Sequence, residues 1–308
     1  MSASAALRGV LIPLTTPFCP DGEIDEKAFR EQIAFMTANG VDGVVVGGST
    51  GEGYALSGKE LMALVAVALD TAAGRIPVVV SIMADSTRAA VARARAISGL
   101  PVTALQIAPP HYIFSPQPEG QADFYGAIAG AVALPIIIYN VIPWDYVTPA
   151  TAARIMQRTP SVTAVKQSDT DLGAYATLVE TVGAERVFAA IDAGLMSCYE
   201  LGAAGSIAAI STAAPRAAVA LWRAVQEGDR ARATSLHKGL VGLWAALSSP
   251  NLPARVKAAL ALQGVEAGVP RSPMAAPSDA EVAAIAEALS ALSRCEESIP
   301  GAGLQKIA

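Results

Sequence analysis

Short β-branched runs alternate with longer Ala-rich segments of helical composition eight times along this chain, and few folds accept that rhythm. The runs fall at 9–14, 43–47, 77–82, 102–108, 135–139, 162–166, 186–190 and 205–208. Helical segments follow at 26–38, 58–73, 87–98, 118–132, 149–157, 170–182, 193–201 and 215–226. Units of about 25 residues repeated in this way predict an α/β fold, a TIM (β/α)8 barrel. A doubly wound sheet is the alternative, but the first turn lacks the glycine fingerprint that such sheets use for dinucleotides. After Gly228 the alternation stops, and 229–248, 252–263 and 278–293 read as helices. We therefore expect a barrel over 1–227 and a small C-terminal helical domain over 228–308, with a loosely held tail from Ser298.

Composition agrees with that core. Hydrophobic residues make up 53% and aromatics only 5%, so strands and helices must pack through Ala, Val, Leu and Ile. The net charge is −5 with no basic run, which disfavours nucleic acid and anionic membrane as partners. No window offers the ~18 uninterrupted apolar residues of a spanning helix. The N-terminus lacks the cationic and long apolar regions of a signal peptide. Cys19, Cys198 and Cys295 are odd in number and widely spaced, which suits a reducing, cytoplasmic setting.

Two histidines, His111 and His237, restrict the chemistry. Neither forms an HxH or HExxH pattern, so a histidine-ligated metal site is not expected. Gly47-Gly48-Ser49-Thr50-Gly51 has the letters of a hydrolase elbow, yet the histidines lie in a Pro-rich loop and a late helix.

In a barrel the reactive groups stand at the C-terminal ends of the strands. Strand two ends in Gly47–Gly53, strand five in Tyr139-Asn140 and strand six in Lys166-Gln167-Ser168, while Asp192 follows strand seven. Of six lysines, Lys166 alone closes an apolar run; the other five read as helix surface, helix starts or tail. A lysine at a strand mouth is partly desolvated, which frees its amine for attack on a carbonyl. It could equally cap the barrel through a salt bridge. The glycine loop could cradle a carboxylate or phosphate, with hydroxyls from Ser49 and Thr50, or could be a plain strand-to-helix turn. Tyr139 could relay protons or simply pack with a wet hydroxyl.

Four motifs in order resemble the dihydrodipicolinate synthase / N-acetylneuraminate lyase superfamily: Pro13–Phe18, Gly48–Glu52, Tyr139–Val141 and Val165–Ser168. The resemblance runs from about Gly9 to Leu289. It implies a class I lyase or aldolase in which Lys166 forms a Schiff base with pyruvate or a related 2-oxo acid. It also implies that Tyr139 relays protons and positions the substrate carboxylate, and that Ser49 and Thr50 hold that carboxylate, with Ser49 also in the relay. Tyr112 would reach into a neighbouring subunit's site, within a homotetramer built from dimers. Gly48, Ser168, Asp192 and Trp144 complete the expected substrate-binding set. No metal or other cofactor is implied, because the Schiff base supplies the electrophile; the small-molecule partners are a 2-oxo acid and an aldehyde. The alternatives are a 2-keto-3-deoxy sugar acid dehydratase using the same Schiff base, dihydrodipicolinate synthase proper, and a non-catalytic 2-oxo acid binding protein.

Two departures bear on specificity. Ile142–Tyr146 carries no arginine for a second carboxylate, and Ala193 stands where a sugar-binding acid would follow Asp192. Trp144 either offers an apolar face there or packs at a subunit interface without touching substrate, and Asp145 would repel a second carboxylate if it faced the pocket. Aspartate semialdehyde and sialic acid are therefore expected to be poor substrates, and a shorter or less charged partner a better one.

Overall fold

The computed structural model describes residues 7–110 and 114–297. Eight parallel strands close into a barrel in chain order, with the last pairing to the first. They are β1 (Gly9–Pro13), β2 (Gly43–Val46), β3 (Val78–Ile82), β4 (Ala104–Ile107), β5 (Ile136–Asn140), β6 (Val162–Gln167), β7 (Val187–Ala189) and β8 (Gly205–Ser206). The pleat splits their side chains into two buried sets. Leu11, Val45, Val79, Ala104, Ile137, Ala164 and Phe188 cluster inside the barrel. Their strand neighbours, such as Val10, Val44, Val80, Leu105, Ile138 and Val165, belong to a second core shared with the helices. Burial on both faces is why the strands read as continuous apolar runs rather than alternating ones.

The surrounding helices are α1 (Glu26–Ala38), α2 (Gly58–Ala72), α3 (Thr87–Ile97), α4 (Pro118–Ala129), α5 (Pro149–Arg158), α6 (Leu172–Val182) and α7 (Leu195–Glu200). Then come α8 (Ala209–Ala213), α9 (Pro215–Gln226), α10 (Arg230–Leu247), α11 (Leu252–Ala261) and α12 (Asp279–Glu297). Three expected starts carry the caps that the residues announce. Asp25 accepts from the Ala28 N–H, Ser57 and Glu60 form a reciprocal capping box, and Thr148 caps a helix opening on Pro149. The short α8, with neither cap nor periodic pattern, was not expected; its five residues are all buried beside the barrel mouth. No helix among the described residues is long and apolar enough to cross a membrane.

Candidate active site

Strand pairing brings the two most informative side chains side by side. Tyr139 and Lys166 occupy matched positions in the β5–β6 register. Each lies two residues beyond an interior side chain, Ile137 or Ala164, so the period of two points both into the barrel mouth. Lys166 Nζ stands 3.8 Å from the centre of the Tyr139 ring, and the lysine is only 4% exposed. Such a contact favours the amine's position over the aromatic face. The Tyr139 hydroxyl donates to Ser49 Oγ at 2.9 Å. Lysine, tyrosine and serine thus form a chain from three different strand ends.

Ser49 is placed by a tight loop. Gly47 has φ +74°, a backbone geometry that glycine adopts without steric cost. A Cβ on Gly53 would lie 1.9 Å from the Gly47 carbonyl oxygen, so the loop closes only with glycine there. Thr16 Oγ1 donates to the Gly51 carbonyl at 2.7 Å. Glu52 then takes a left-handed conformation at φ 53°, which costs an ordinary residue about 1–2 kcal/mol.

A buried ion pair holds that conformation. Lys257, on α11, donates to Glu52 Oε1 at 2.6 Å, and the two residues are 2% and 0% exposed. The Arg271 backbone N–H donates to the other oxygen at 2.9 Å. Lys257 and Arg271 both sit over the Phe18 ring, at 4.7 and 4.1 Å. The Arg271 guanidinium also bonds Glu60, and chiefly for that reason the Glu60 carboxyl is held down to about 2. The expectation that Lys257 lies on a helix surface is therefore corrected. Its sequence surroundings look amphipathic, and nothing local reveals a partner 205 positions away.

A cavity of about 400 Å³ opens above this chain. Of the expected residues, Lys166, Tyr139, Ser49, Thr50, Ser168 and Asp192 line it together. Gly48 lies at the turn beneath, facing Gln106 of β4. Tyr112 lies outside the described residues. Trp144 is not among the lining residues; it is 53% exposed, and its carbonyl accepts from Ser115. Asp145 does not face the cavity either: it is buried and accepts from Gln121 at 2.6 Å. The reason is local, since a 3-10 turn at Pro143–Asp145 swings the segment away from the β5 mouth. Asn140 locks that segment by bonding Val147 twice and Gln167 once.

Asp192 joins the cavity to α8 by accepting from the Ile210 N–H at 2.7 Å. Burial raises its carboxyl to about 6, opposed by the Ile210 bond and by the Lys166 charge. Below that pH the proton removes the negative charge facing Lys166. We expect log(kcat/KM) to fall below about pH 6, and Asp192→Asn to be flat across that range. An unchanged acid limb in Asp192→Asn would assign it to another group. No group of three or more His, Cys, Asp or Glu side chains among the described residues is arranged to hold a metal ion.

The sequence model of the dihydrodipicolinate synthetase family matches residues 6–292. A 4-hydroxy-tetrahydrodipicolinate synthase of Thermomicrobium roseum is 37% identical over 294 residues, 94% of this chain and 95% of that relative. An Escherichia coli protein, named probable 2-dehydro-3-deoxy-D-pentonate aldolase, is 32% identical over 79% of this chain and 83% of its own. Among solved structures, the dihydrodipicolinate synthase of Thermotoga maritima superposes with a TM-score of 0.88 at 27% identity. That match covers 94% of this chain and 99% of that one.

Proposed function

This chain belongs to the dihydrodipicolinate synthetase family, and from that premise we propose that it is a class I lyase acting through a Schiff base on Lys166. The observation that carries the reading is the Lys166–Tyr139–Ser49 chain inside one cavity, with Lys166 and Tyr139 buried and Ser49 half-buried. A buried amine next to a hydroxyl relay suits attack on the C2 carbonyl of a 2-oxo acid, with the departing oxygen leaving as water. The iminium then acts as an electron sink for cleavage or formation of the bond at C3 or C4. Tyr139 and Ser49 are suited to carry the proton, and Ser49 and Thr50 to receive the C1 carboxylate. The homotetramer and the part of Tyr112 in it belong to the same proposal.

Two neighbouring activities use this machinery. A sugar acid dehydratase would expel a hydroxide instead of a carbon fragment. Dihydrodipicolinate synthesis would need a cation for the second carboxylate, and Lys166 is the one cation lining the cavity among the described residues. A protein that only bound 2-oxo acids would have no use for the relay.

Removing the Tyr139 hydroxyl tests the relay. We expect Tyr139→Phe to lower kcat by about 10²–10³-fold while KM changes little, because the ring that supports Lys166 remains. A loss confined to KM would make Tyr139 a binding group only. Pyruvate release over a panel of 4-hydroxy-2-oxo acids, 2-keto-3-deoxy sugar acids and sialic acid, beside aspartate semialdehyde condensation, tests the class. Turnover of none would favour the binding protein.

A further inference from the structure

The cavity has two unlike ends. At one end Ser49, Tyr139 and Lys166 stand together, with Asp192 close enough to feel the Lys166 charge. Its outer wall comes from the segments after the barrel and from the turn behind Glu52: Tyr54, Trp244, Pro250, Leu252, Pro253 and Met274. Ala193 and Ile191 continue the apolar surface on the β7 side. Lys166 and Asp192 are the charged side chains lining the cavity among the described residues, and they act on each other. The distal half of a substrate would therefore meet mainly rings and aliphatic carbons, with the Tyr54, Ser168 and Thr170 hydroxyls and the Trp244 N–H as scattered polar points.

Resting on the Schiff-base reading above, we propose that the substrate is a 4-hydroxy-2-oxo acid whose aldehyde-derived half is an aryl or alkyl group without charge and without a polyol chain. The reaction balances with water alone. The Lys166 amine adds to C2 and water leaves, giving the iminium. The C3–C4 electron pair moves into the enamine as the C4 hydroxyl proton passes to the Ser49–Tyr139 chain. The neutral aldehyde departs, C3 takes up a proton, and water releases pyruvate from the lysine. The leaving aldehyde carries no charge, so the wall need only solvate carbon. Burying a polyol there would strip more hydroxyls of water than those few polar points could bond again, which disfavours such substrates.

A second cavity adjoins the first through Val141, Ser168 and Thr170, and Tyr146 and Asp169 lie on it. It is the polar competitor for the distal half. Each of these two groups already holds one protein partner: the Tyr146 hydroxyl accepts from Gln167 at 3.0 Å, and Asp169 accepts from the Asp171 N–H at 3.0 Å.

The test compares kcat/KM for 4-hydroxy-4-phenyl-2-oxobutanoate, 2-keto-3-deoxygluconate and, in condensation, aspartate semialdehyde with pyruvate. The aryl acid is expected to lead by about 10–100-fold, the scale of burying one large apolar group. Trp244→Ala is expected to cut the aryl lead by about 10-fold; Leu252→Asn carries the same test if that variant fails to fold. A sugar acid or aspartate semialdehyde that equals the aryl acid overturns the proposal and moves the distal half to the second cavity. Borohydride labelling of Lys166 by pyruvate, with no cleavage of the aryl acid, overturns it while leaving the Schiff base standing. No labelling at all overturns the Schiff-base reading and this proposal together.

Discussion

Lys166→Ala is expected to lower kcat by at least about 10⁴-fold on whatever substrate the wild type turns over best. The size follows from the role: without the amine no iminium forms, and the relay has no electron sink to serve. The fold should survive. The truncation leaves β6 pairing with β5 and β7 intact, and it removes an amine rather than part of the apolar core. Far-ultraviolet circular dichroism and the urea midpoint should therefore stay close to wild type while turnover vanishes. A variant retaining a tenth of the activity would contradict the assignment.

The second large effect is on stability, and it lies far from Lys166 in sequence. Lys257→Met leaves Glu52 buried with no cation, and breaking one partner of a buried pair costs about 3–5 kcal/mol. Removing both charges should cost less than removing one. Lys257→Met with Glu52→Gln is thus expected to recover part of the loss, a coupling read from urea unfolding of the two single variants and the double variant. Because Glu52 ends the loop that carries Ser49 and Thr50, the single variant should also lose activity under conditions where it remains folded. A loss under about 1 kcal/mol with unchanged turnover would mean that the pair is incidental to the loop.

These two lysines show what a sequence can and cannot disclose. Lys166 is legible because it breaks a local rule: a cation ends the apolar run Val162–Val165. Tyr139 and Ser49 are legible because each stands at the end of a strand that periodicity already marks. The barrel itself is legible for the same reason, since eight repeats of one rhythm leave little freedom. Lys257 breaks no local rule. Its helix sets Arg255 and Lys257 among Ala, Val and Leu as an amphipathic surface helix would, and its partner arrives through tertiary packing alone. Trp144 is the opposite case, a residue that does not line the cavity its sequence position suggests. Its proximity in sequence to Tyr139 suggested the cavity, but Pro143 opens a turn that carries the ring outward. The wall it was expected to form comes instead from Trp244 and Leu252, in segments whose helical character is plain in the sequence, and from Met274, in the stretch between two helices; that these pack over the barrel mouth is not legible in the sequence. Distances along the chain decide such cases, because strand ends are fixed by the barrel and late segments are fixed only by what they pack against.

The central claim is that Lys166 bonds covalently to a 2-oxo acid. Incubation of the protein with pyruvate and sodium borohydride, followed by proteolysis and mass spectrometry of the peptides, tests it most directly. The account predicts one reduced pyruvate adduct, carried by the peptide containing Lys166 and absent from Lys166→Ala. An adduct on another lysine, or none with pyruvate or any related 2-oxo acid, would contradict it.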